Sequence, residues 1–123
     1  MSIVIPKPED FFGHRLGADR KLAHWNKIVE YFWELDNSPM IKVEELGLST
    51  ENNPFLLAII TSEENMARLD EIREMSWKLA HPKGVPEEEI KEIIENGVSV
   101  VSMSMSIHAT EVGGTQMAPE LAW

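Results

Sequence analysis

A chain of 123 residues, 43% hydrophobic and 26% charged, has the size of one globular domain and enough apolar content to bury a core. Its 21 acidic and 11 basic side chains leave a net charge of −10, with no basic stripe to neutralise phosphates, which argues against a nucleic-acid partner. Cysteine is absent, so disulfides and thiolate metal sites are excluded, and any transition-metal site must use His, Asp or Glu.

Residues 1–18 read as an irregular arm. Pro6 and Pro8 argue against a helix there, while Phe11 and Phe12 are suited to dock the arm onto the body. The opening MSIVIPKPED has no basic leader followed by a long apolar run, so no signal peptide is expected; cellular location stays open. No apolar run anywhere approaches the roughly 20 residues of a membrane span, so no membrane partner is expected either.

Asp19 is placed to cap a helix running through RKLAHWNKIVEYFWEL, with Leu22, Trp25, Val29, Phe32 and Trp33 near one face. The aromatic set Trp25, Phe32 and Trp33 reads as core rather than as a ligand cage. Asn37, Ser38 and Pro39 stop the helix. Ile41 and Val43 alternate with Lys42 and Glu44 as in a half-exposed strand, and STENNP is a turn. FLLAII (55–60) is a continuous apolar run, the pattern of a strand covered on both faces. Residues 40–60 therefore read as an antiparallel hairpin with one edge strand and one inner strand.

Thr61 with Glu64 resembles a capping box opening a helix to about Ala80, with Met66, Leu69, Ile72, Ser76 and Leu79 on one face. HPKG (81–84) breaks it. Pro86 suits the first turn of a shorter helix whose buried stripe is Ile90, Ile93 and Ile94, ended by Gly97; the EEEIKEIIE charges form its solvated face. VSVVSMSMSI (98–107) alternates Val101, Met103, Met105 and Ile107 with serines. Val98 and Val100 fall in the opposite phase, which predicts a strand with a bulge near Val100–Val101. GGTQMAPELAW then reads as a turn and a helix start, with Thr115 as N-cap and Pro119 in the first turn. The order α-ββ-αα-β-α points to a single α/β domain over 1–123, with helices layered on a mixed sheet.

Chemistry concentrates in SIHATEVGG (106–114). His108 follows the predicted strand and Glu111 stands three residues on. The two converge on one point if the backbone turns between them, with Gly113 and Gly114 supplying the freedom. Strand ends are where α/β proteins place their sites. An imidazole and a carboxylate without cysteine are the donors of catalytic zinc. The other reading of the same residues is a polar turn, with Glu111 set near a helix N-terminus where the dipole favours it. His14, His24 and His81 are poorly placed to complete a metal set.

HATEVGGTQMAPEL, with the apolar strand before it, resembles the zinc-binding segment of the carboxypeptidase A-like zinc metallocarboxypeptidases. It is more closely similar to a branch of large bacterial proteins of that kind. FFGHRLGADRKLAHW followed by a helix, the hairpin VEELGLSTENNPFLLAIITS and the motif strand match that branch in order and character, so the resemblance covers nearly the whole chain. It implies that His108 and Glu111 are zinc ligands of a hydrolase acting on peptide or amide substrates. It also implies a three-layer α/β/α fold with a mixed sheet, represented here by its N-terminal part: hairpin, helical insert, motif strand and the start of the next helix. Thr110 stands where many members carry a substrate-holding arginine. The family's third ligand, carboxylate-recognising residues and general-base glutamate lie further downstream than Trp123, so the 123-residue chain is expected to be catalytically silent. Its open strand edge is expected to promote self-association. Two other functions remain: a complete, non-enzymatic acidic α/β interaction module using its Trp- and Met-rich surface, and a zinc amidase or deacylase acting on acyl-amino acids.

Overall fold

Pro8 opens the first helix of the computed structural model, which describes residues 4–123. α1 (Pro8–Phe12) places Pro8 in its first turn, where the missing N–H has no intrahelical role, and Gly13 ends it in the left-handed conformation. The arm is therefore not irregular throughout, as the prolines suggested; Pro8 starts a helix instead of preventing one. Phe11 and Phe12 dock as expected. Their ring centroids lie 4.9 and 5.4 Å from that of Tyr31.

The chain forms two compact units, one built from residues up to Thr61 together with Ser104–Trp123, the other from Ser62–Met103. In the first, α2 (Trp25–Leu35) carries the core on Ile28, Tyr31 and Leu35. Ala122 packs on Tyr31 and Leu35, with Ile5, Phe11, Phe12, Phe32 and Ile41 around them. Tyr31 is fully buried, and its hydroxyl donates to the Pro6 carbonyl at 2.8 Å, pinning the arm. The helix begins five residues after the expected start. Arg20 takes a left-handed φ of 59°, which breaks the helical path, and Asp19 caps nothing. The buried face is accordingly rotated from the expected one, leaving Leu22 and Trp33 exposed.

The hairpin forms where its pattern placed it: β1 (Ile41–Leu48) pairs antiparallel with β2 (Pro54–Ile60), in register from Ile41↔Ile60 to Leu48↔Pro54. A bulge falls between Glu45 and Gly47; the Gly47 φ of 136° is one that a side chain would strain. Asp36, just past α2, accepts from the Val43 backbone N–H at 2.6 Å and ties β1 to the helix end. The sheet has only these two strands among the described residues. β2 is thus not an inner strand covered on both faces, and Phe55, Leu57 and Ile60 are exposed.

In the second unit, Ser62 rather than Thr61 caps α3 (Glu63–Met66), its Oγ accepting from the Asn65 N–H. The expected single helix breaks at Ala67–Arg68 and resumes as α4 (Leu69–Ala80). α5 (Glu87–Asn96) follows Pro86 and packs against α4, burying Ile72 and Ile93 while Ile94 faces solvent. Lys78 lies 2.8 Å from both Glu74 and Glu89, crossing from α4 to α5. The two carboxylates raise the Lys78 pKa, and the ammonium lowers that of Glu74. At Gly97 a Cβ would collide with the Ile93 carbonyl, so only glycine allows this helix end.

The strand expected over 98–107 makes no ladder; among the described residues these ten have no regular structure. α6 (Val112–Ala122) starts three residues before the expected N-cap Thr115, and Gly113 and Gly114 lie inside it rather than in a turn. Pro119 sits deep in the helix, fully buried, on one stripe with Gln116 and Ala122. The described residues thus combine helices with a small antiparallel sheet, an α/β composition in the general sense. They do not by themselves form three layers on a mixed sheet, because the third strand lacks a partner. Among the described residues no helix is long and apolar enough to cross a membrane.

Candidate metal centre

His108 and Glu111 are brought together by a tight turn. The Glu111 backbone N–H donates to the His108 carbonyl at 3.1 Å, closing the i to i+3 loop. Upstream, Ser106 adopts a left-handed φ of 62°, redirecting the chain just before the motif. Downstream, Glu111 stands at the N-cap of α6, with its side chain free of any cap bond to the helix. The turn closes through residues 109 and 110, without the glycines, which lie in α6. Residues 105–106 lie against the helix start: a Cβ at Gly114 would sit in ordinary contact with the Met105 sulfur, at 3.6 Å.

The side chains meet. His108 Nδ1 lies 2.6 Å from Glu111 Oε2, a short charge-assisted hydrogen bond when the ring is protonated. Both side chains are exposed, at 69% and 66% of their surface, so the pair lies at the protein surface. Zinc bonds of about 2.0–2.2 Å at a tetrahedral angle would hold the nitrogen and oxygen about 3.3 Å apart. The pair would have to open from 2.6 Å by about 0.7 Å to admit the metal. An imidazole nitrogen and a carboxylate oxygen are donor types that zinc accepts, and there are two of them here. Among the described residues no third His, Asp or Glu gathers with them.

None of the remaining histidines joins the pair among the described residues. His24 precedes α2 as its N-cap, and His81 stacks on Trp77 with ring centroids 3.8 Å apart in the other unit. His14 is partly buried, its Nδ1 without a partner among the described residues. Trp25 is half-buried, Phe32 packs on the core cluster, and Trp33 is exposed at the surface.

Gln116 is the residue that sequence reading passed over. Its Oε1 accepts from the Ala23 backbone N–H at 2.8 Å, and its Nε2 donates to the Ala23 carbonyl at 3.0 Å. These bonds hold α6, and the turn that precedes it, against the segment leading into α2. Position 116 carried a signal only in being a polar residue on the 116–119–122 stripe.

No family model matches the chain, and no curated protein or solved structure matches it either.

Proposed function

We propose that the chain is the N-terminal portion of a zinc-dependent carboxypeptidase-like hydrolase, with His108 and Glu111 as two of its three zinc ligands. The observation that carries this reading is the 2.6 Å approach of His108 Nδ1 to Glu111 Oε2 on a turn that aims both at one exposed point. When bound, zinc supplies Lewis acidity toward a scissile peptide or amide carbonyl and acidifies a water. Within the chain, the turn at 108–111 orients the two donors, and the Gln116–Ala23 clamp fixes the helix that carries the second. The third ligand and the general base lie outside residues 1–123 in this reading, as do the remaining strands of a three-layer α/β/α fold in which 98–107 is the motif strand. Two donors in an exposed pair hold a metal loosely, so these 123 residues alone are catalytically silent.

Calorimetric titration of the 123-residue chain with zinc tests it. Weak one-to-one binding is expected, reduced at least tenfold by His108→Ala and again by Glu111→Gln. Binding indifferent to both substitutions would remove the basis of the proposal. A second reading, a non-enzymatic acidic interaction module, draws on the many exposed apolar side chains, Trp77, Phe55 and Val101 among them. It predicts no zinc binding that depends on His108.

A further inference from the structure

The chain exposes 9330 Å² to solvent. The size scaling of folded monomers gives about 6,700 Å² for a 14.0 kDa protein, and about 8,000 Å² if its two compact units are counted as separate bodies. About 1,300 Å² of surface is left over on the more generous count, against about 800 Å² per partner in a standard interface. Among the described residues, two segments without a ladder partner outside the hairpin expose runs of apolar side chains. Residues 98–107 expose Val100, Val101, Met103 and Ile107, and β2 exposes Phe55, Leu57 and Ile60.

The backbone of the two segments is complementary. Val43 donates its N–H to Asp36 rather than across the hairpin, so Val43↔Ala58 is a non-hydrogen-bonded pair. The N–H and C=O of Ala58 therefore face the outer edge of β2, and at a period of two so do those of Leu56 and Ile60. That edge has no ladder among the described residues. Residues 98–107 alternate apolar and small polar side chains, as a strand does, and also have none. Charge selects the same places. The two longest stretches without Asp, Glu, Lys or Arg are 52–62 and 96–110, so copies that each carry a charge of −10 repel one another least there.

We propose that 98–105 of one copy, the stretch before the left-handed Ser106, adds as a strand to the free edge of β2 in a second copy of the same chain. In the proposed assembly the exchange is reciprocal, a two-fold dimer; a one-way exchange would instead run on into oligomers that lengthen with concentration, a result that also overturns the proposal. The proposal does not rest on the zinc reading, and His108→Ala leaves the dimer intact.

Sedimentation velocity from 1 to 100 µM tests it, with two single variants, Met103→Pro and Ser104→Pro. Consecutive N–H groups of a strand point to opposite edges, so one of the two prolines removes a ladder donor whichever edge is used. Neither residue has a ladder bond to lose in the monomer, and circular dichroism of each variant is the control for folding. The expected result is a dimer whose dissociation constant rises at least tenfold in one or both variants. A monomer at 100 µM overturns the proposal, as does a dimer indifferent to both prolines. So does a monomer whose 98–105 amides are protected from hydrogen exchange, since the strand would then be paired within its own chain.

Discussion

Gln116 binds both backbone polar groups of Ala23, ninety-three residues earlier in the chain. A buried carboxamide thereby replaces the ladder partner that Ala23 would have in a sheet or a helix. It explains why α2 starts late: the backbone at 23 is held by a side chain rather than by a helical turn. Gln116→Leu keeps the volume and strands both groups of Ala23. We expect it to lower unfolding free energy by about 2–3 kcal/mol, followed by tryptophan fluorescence in urea. Gln116→Glu retains an acceptor and loses the donor, and should fall short of the leucine variant in damage if the Ala23 N–H bond is the stronger of the two.

Tyr31 joins the arm to the core, and its ionisation should report that junction. Burial, reinforced by the negative charge of Glu120, pushes its pKa up to about 12 from the usual 10. The unfolded chain loses the phenolic proton near pH 10, while the folded chain keeps it. Stability from this group is therefore complete below pH 10 and declines as pH rises toward 12. The urea midpoint should fall over that window in the wild-type chain and fall less in Tyr31→Phe. Below pH 9 the phenylalanine variant should be the weaker by about 1 kcal/mol, from the lost bond to Pro6. Parallel pH curves for the two proteins would show that Tyr31 is not buried as described.

What the sequence disclosed depended on how local the cause was. The hairpin was legible because the alternation of Ile41 and Val43 and the STENNP turn act over a few residues. The convergence of His108 and Glu111 was legible because three residues and one turn suffice to produce it. The start of α2 was not, since the left-handed Arg20 and the Gln116 clamp override a good helical pattern from outside it. The strand at 98–107 was misjudged for a related reason: alternation prescribes a strand's faces and says nothing of whether a neighbour exists to pair with it. Two adjacent glycines suggest a turn, yet Gly113 and Gly114 fall inside α6, whose buried stripe is 116–119–122.

That placement has a measurable consequence. Gly113 occupies the first turn of α6 with a helical backbone, and a Cβ placed there meets nothing within 4 Å. Its flexibility costs conformational entropy on folding and serves no positive φ. Gly113→Ala should stabilise the chain by about 0.5–1 kcal/mol, raising the thermal midpoint by a few degrees. The substitution lies two residues from Glu111, so zinc affinity is a useful second measurement. A stiffer helix start should leave the affinity unchanged or improve it, whereas a loss would mean that the motif needs the glycine to move.

The His108–Glu111 pair admits a sharper separation of chemistry from structure. Both side chains are more than half exposed, and an ion pair in that setting contributes no more than about 0.5–1 kcal/mol, less at high salt. Without metal, His108→Ala and Glu111→Gln should therefore unfold within about 0.5 kcal/mol of the parent at 0.5 M salt. Saturating zinc should raise the parent's midpoint and not the variants', since a ligand that binds only the folded state stabilises it in proportion to its affinity. If either substitution destabilised the metal-free chain by several kcal/mol and zinc had no effect on the parent, the pair would be a structural latch on α6. The short contact would then owe nothing to a metal.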